Sequence, residues 1–137
     1  MSAVNKRVVA GLLAAAASTA LVGSTVVPAS AADTQLKVQA IIPLTGALAF
    51  LAPPEIAGLH LAVDEINAAG GVLGKKVSLT ITDSGDGDTL SIADQSATKA
   101  IASGADVVIG AAASGVTRSI INKITGAKIV QISMSNT

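Results

Sequence analysis

The side chains with the clearest chemical potential lie in three short polar stretches. Gly110-Ala111-Ala112-Ala113-Ser114 joins four residues of minimal volume to a hydroxyl. Such a stretch lets a ligand approach the backbone, and the first turn of a following helix offers N–H groups to an anion. Ser114 would then add a hydroxyl to a carboxylate; the competing reading is a plain helix N-cap at Ser114. Ser133, Ser135, Asn136 and Thr137 form a second polar cluster, either a binding group or a solvated turn. Asp83, Asp86 and Asp88 place carboxylates in a Gly-containing loop, as calcium sites do, but no Glu closes the loop at the twelfth EF-hand position. A solvated acidic loop, with one Asp capping the next helix, accounts for them better.

Other chemistries are closed off. His60 is the single histidine, on a helical stripe with no Asp or Ser at a useful spacing. The absence of cysteine excludes disulfide frameworks, thiolate metal sites, thiol catalysis and lipidation of an N-terminal Cys. No G-x-G-x-x-G, G-K-[ST] or G-x-S-x-G pattern occurs, so dinucleotide, phosphate-loop and hydrolase-elbow readings lack support. Nine basic and nine acidic side chains leave no electrostatic footprint for nucleic acid. The residues therefore predict no metal, no cofactor and no enzyme.

The 137 residues are half hydrophobic with one aromatic, Phe50, and the mean hydropathy is +0.65. Part of that hydropathy has a local source. Lys6 and Arg7 precede an uncharged run from Val8 to Val27, and Pro28-Ala29-Ser30-Ala31 places small residues where signal peptidase reads them. A transmembrane anchor is the rival, but Ser18, Thr19, Gly23, Ser24 and Thr25 interrupt the run and no basic cluster follows it. Residues 1–31 are thus expected to be a cleaved secretory signal. Residues 32–137 then form a slightly acidic exported domain, periplasmic or secreted, with seven basic against nine acidic groups.

The elements that must position the polar stretches follow from periodicity. Leu36–Ile42 reads as a strand, Pro43–Gly46 as a turn, and Pro53-Pro54-Glu55 as a helix start. Ile56, Leu59, Val63 and Ile66 then recur at helical spacing up to Gly70-Gly71. Lys76–Thr82 is a second strand, Thr89–Ser103 a helix ended by Gly104, and Asp106–Ile109 a third strand. A helix from Val116 to Thr125 ends at Gly126, and Lys128–Ile132 is a fourth strand. Alternating strands and helices predict an α/β fold, a parallel sheet covered on both faces in three α-β-α layers. Ligands in such sheets sit beyond the carboxyl ends of the strands, which is where the polar stretches fall.

Pro43-Leu44-Thr45-Gly46, Gly58 and the run from Ala62 through Ile66-Asn67-Ala68-Ala69-Gly70-Gly71-Val72-Leu73-Gly74-Lys75-Lys76-Val77 resemble the branched-chain amino-acid-binding proteins of ABC importers. Val108-Ile109-Gly110, Ser114 and Ile132–Thr137 fit the same family in order and spacing, so the resemblance spans Leu36 to Thr137. It implies a type I periplasmic binding protein, whose two α/β lobes close on a small solute. Residues 32–137 would be part of the N-terminal lobe, with the second lobe and hinge missing, hence a truncated fragment. The implied partners are an amino acid or similar small polar ligand and an ABC permease in the membrane.

Carried over residue by residue, the resemblance assigns the ligand carboxylate to Ser114 and Thr137. It assigns the ammonium to the carbonyl of Ser135, and the ligand side chain to Ala112 and Ala113. Leu51 stands where the family often has a pocket aromatic, and Ser133-Met134 replaces the usual Ser-Pro. A sensor or receptor module of the same fold is the alternative reading.

Overall fold

The computed structural model describes residues 35–135; the expected signal (1–31), Asn136 and Thr137 lie outside them. The elements are β1 (Lys37–Ile42), α1 (Ala52–Ala68), β2 (Ser78–Asp83), α2 (Leu90–Ala102), β3 (Val107–Gly110), α3 (Ser114–Gly126) and β4 (Val130–Ile132). A single 3-10 turn, Ala49–Leu51, leads into α1. The four strands are parallel in the order β2-β1-β3-β4, with Ala40 opposite both Ile81 and Ile109 and Ile109 opposite Ile132. The α/β alternation expected from the sequence is therefore present, with most boundaries within two residues.

Pleating of β1 divides the core. Ile41 points into a cluster with Ala93, Ala97, Val108, Val116, Ile120 and Ile124, under α2 and α3. Ala40 and Ile42 point the other way, toward Leu59, Ile56, Leu79 and Ile81 under α1. The α2–α3 side carries most of the fully buried volume: Ile41, Ile120, Ile124, Val108 and Val116 each exclude water, worth about 1.5–3 kcal/mol apiece. Ala93, Ala97 and Ala100 on α2 are wholly buried at helical spacing, and their small size lets that helix approach its neighbours. This is why an aliphatic chain with one aromatic forms a core: close approach replaces bulk.

The polar members of this core are paired. Gln39, expected within an apolar strand, is buried, and its Nε2 donates to Thr82 Oγ1 and to the Ser96 carbonyl, each at 3.2 Å. Ser96 Oγ in turn donates to the Asp83 carbonyl at 2.6 Å.

All three helices end in the same capping motif, in which the second residue past the cap reaches back five positions. Gly71 N–H donates to Ile66 O at 2.8 Å, Ala105 to Ala100 at 3.0 Å and Ile129 to Ile124 at 3.3 Å. The motif needs a residue with positive φ. Gly70 (φ 103) and Gly104 (φ 66) supply it as expected, but after α3 it is Lys128 (φ 63). Gly126 lies inside the last turn of α3 rather than ending the helix.

The second face is covered only in part, which modifies the expected third layer. In α1 only Ala52 and Leu59 are buried, Ile66 of the expected stripe is 41% exposed, and His60 faces solvent. On β4, Val130 and Ile132 are 58% and 53% exposed. A groove of about 380 Å³ runs between Pro54, Gly58, Leu59 and Ala62 of α1 and Ile109 and Met134. Glu55 also lines it; partial burial pushes its carboxyl above the usual range.

Two backbone positions set the fold's tolerance. A Cβ at Gly110 (φ 109) would stand 2.1 Å from the Ile41 carbonyl oxygen, so Gly110→Ala should cost at least about 2 kcal/mol. Lys128→Gly should stabilise by about 0.5–1 kcal/mol, because glycine accepts the left-handed conformation without penalty. Urea unfolding of the two variants checks both signs.

Candidate functional site

The strand order creates one reversal. From β1 the chain crosses through α1 on one face to reach β2; from β3 it leaves through α3 on the other face to reach β4. β1 and β3 are neighbours, so the loops after them diverge beyond their carboxyl ends, where the topology expects a crevice. That is the position where open parallel sheets hold ligands.

One wall is the segment after β1. Asp83, the last residue of β2, accepts N–H groups from Leu44 (2.9 Å), Thr45 (3.2 Å) and Gly85 (2.8 Å), and the Thr45 hydroxyl at 2.5 Å. Asp86 accepts Ala47 N–H at 2.9 Å, Asp88 N–H at 3.1 Å and the Thr89 hydroxyl at 3.0 Å. The loop is solvent-accessible as expected, with Asp88 exposed, but the Asp83 and Asp86 carboxylates are engaged by backbone groups, and neither caps α2, whose N-cap is Thr89. They clasp residues 44–47 and so place the turn carrying Phe50, largely exposed, and Leu51, half-buried. Burial pushes Asp83 up, but the Thr45 hydroxyl and the Gly85, Thr45 and Leu44 amides outweigh it and hold it below the ordinary carboxylate range. Asp86 is held low chiefly by the Ala47 amide and the Thr89 hydroxyl.

The other wall is the segment after β3. Ala112 is buried, Ala113 and Ser114 are half-buried, and Ser114 is the first residue of α3. The N-cap is Ala113, in extended conformation (φ −89, ψ 131), so the N-cap reading of Ser114 is off by one position. No acidic residue occupies the first turn of α3, which is the positive end of that helix's dipole.

Side chains from β4 and α3 hold this wall. Gln131 Nε2 donates to Gly110 O at 2.8 Å, Ser133 Oγ to Ala111 O at 2.7 Å and Ser135 Oγ to Ala112 O at 2.7 Å. Thr117 Oγ1 also donates to Ala111 O, at 2.9 Å.

Of the residues expected from the sequence, Ala112, Ala113, Ser114 and Ser135 are thus brought into one cluster. Leu51 stands on the opposite wall, and Thr137 lies outside the described residues. Sequence reasoning missed the clasp by Asp83 and Asp86 and the roles of Thr117 and Gln131. The polar residues at every second position from Gln131 were the available signal for the latter. Among the described residues no cluster of three or more His, Asp or Glu side chains converges to hold a metal.

A family model described as periplasmic binding protein matches residues 35–137. The Leu/Ile/Val-binding protein homolog 8 of Brucella abortus is 44% identical over 75 residues, 55% of this chain and 18% of that protein. Among solved structures, the branched-chain amino acid transporter substrate binding protein LivJ of Streptococcus pneumoniae, in complex with isoleucine, aligns at TM-score 0.70 and 33% identity. That alignment covers 76% of this chain and 30% of LivJ. An ABC transporter substrate-binding protein from Desulfitobacterium hafniense, in complex with Leu, aligns at TM-score 0.60 and 31% identity over the same shares. The chain therefore spans 18% of the curated relative and 30% of these solved chains.

The clasp has a pH signature. Carboxylates with lowered folded values stabilise fully above their unfolded pKa, near 4, and the benefit disappears as pH falls through the folded values. An Asp83→Asn/Asp86→Asn double variant should be less stable than wild type at pH 7, and the difference should shrink by pH 3. Urea unfolding at the two pH values measures it.

Proposed function

The chain belongs to the periplasmic binding protein family, whose model matches residues 35–137, and from that premise we propose that it is an exported solute-binding component of an ABC importer. Its ligand in this reading is an amino acid of the branched-chain type, and its partner an ABC permease in the membrane. Residues 1–31 are the export signal and residues 32–137 the periplasmic domain, part of the N-terminal lobe. The family binds solutes rather than transforming them.

The observation that carries the reading is the wall from Gly110 to Ser114. It stands at the reversal of strand order, has no bulky side chain, and runs into the N-terminus of a 13-residue helix. A carboxylate placed there meets the Ser114 hydroxyl and the positive end of the α3 dipole, an interaction worth about 0.3–1 kcal/mol when exposed and more when partly buried. Thr137 adds a second hydroxyl and the Ser135 carbonyl takes the ammonium. Ala112, Ala113 and, from across the crevice, Leu51 line the aliphatic side chain. The ligand class is supported by the isoleucine bound in LivJ and the leucine bound in the Desulfitobacterium protein, each above 30% identical to this chain.

Residues 32–137 supply one wall of a cleft that the two-lobed family closes from both sides. Ordering a ligand against one wall forgoes half of the contacts that offset its lost freedom. Isoleucine titrated into the full chain, followed by amide chemical shifts, should therefore bind with a dissociation constant weaker than about 10 µM. Shifts should centre on residues 112–117, and Ser114→Ala should weaken binding by roughly tenfold. Binding unaltered by Ser114→Ala, or shifts confined to another surface, would refute the site.

A further inference from the structure

We propose that Ser133 and Ser135 are positioning residues that turn the wall after β3 into an anion receptor; the inference rests on the carboxylate reading above. The β3–β4 ladder ends at the Ile109–Ile132 pair, so residues 110–112 have no ladder partner on the β4 side, although Gly110 still pairs with Ile41 of β1. In its place, every second residue from Gln131 onward donates to one carbonyl in succession: Gly110, Ala111, then Ala112. Thr117 adds a second donor to the Ala111 oxygen.

The pattern is one-sided. In each of these bonds the side chain is the donor and a loop carbonyl the acceptor. A trans peptide carries its N–H opposite its C=O, so pinning Ala111 O and Ala112 O toward β4 turns the Ala112 and Ala113 N–H groups away from it. Loop carbonyls facing the crevice would repel a carboxylate. With those two oxygens held on the β4 side, the Ala112 and Ala113 amides are turned to the opposite side before a ligand arrives. An ordinary ladder pairing would instead satisfy carbonyls and amides alike and leave nothing for a ligand.

The ladder therefore predicts selectivity for the anion rather than affinity in general. The test uses the full chain, labelled with 13C and 15N, titrated with isoleucine and with isoleucinamide, which lacks the carboxylate. In the wild type isoleucine should bind about tenfold more tightly than the amide. In Ser133→Ala/Ser135→Ala that ratio should collapse toward one through loss of isoleucine affinity, while Ser133→Thr/Ser135→Thr retains it. A role confined to stability would lower the unfolding temperature and leave the ratio intact, and that result overturns the proposal. Ser135→Ala alone, at an exposed position, covers the case in which the double variant does not fold; it should lose part of the ratio. If neither ligand shifts any wild-type amide, the carboxylate reading of the site fails. The ladder then stands or falls on the carbonyl 13C shifts of Ala111 and Ala112. They must change in the Ala variants and return in the Thr variant, and unchanged values overturn it.

Discussion

Between β1 and β3 there is no spare room: an added carbon at Gly110 would sit 2.1 Å from the Ile41 carbonyl oxygen. This tight seam holds the central strand against its neighbour up to the last residue of β3. It brings the two diverging loops side by side, with α1 leaving toward one face and α3 toward the other. Everything placed at the carboxyl edge depends on it.

The two walls of the crevice are held by opposite chemistry. After β1, carboxylates of Asp83 and Asp86 gather backbone N–H groups, leaving that segment's amides spent. After β3, hydroxyls and an amide gather backbone carbonyls, leaving N–H groups to the crevice. In the proposed reading the first wall packs an apolar group and the second receives an anion. An α-amino acid with an aliphatic side chain presents that combination, which is why the proposed ligand follows from the walls as well as from the relatives that bind isoleucine and leucine.

Much of this was legible from residue patterns. Strand and helix order followed from apolar runs punctuated by glycine, and Gly70 and Gly104 marked helix ends because each adopts positive φ. Gly126 misled, since Lys128 takes the left-handed position that local propensity would assign to glycine. The α1 stripe was legible as periodicity but not as burial: of its four residues only Leu59 is buried, and Ile66 stays exposed. At the site, small residues before a helix start pointed to Ser114 without help from the fold. The roles of Asp83, Asp86, Gln131 and Ser133 were not visible, because each depends on a partner 20 to 40 positions away. Hydrogen bonds at that separation are products of topology; the sequence carries at most the alternation of polar residues from Gln131, without their partners.

Whether the wall from Gly110 to Ser114 receives the ligand can be read from intermolecular nuclear Overhauser effects between isoleucine methyl protons and alanine methyls of the chain. Contacts to Ala112 and Ala113 are expected. Contacts instead to Ile109 and Met134, in the groove beside α1, would contradict that placement.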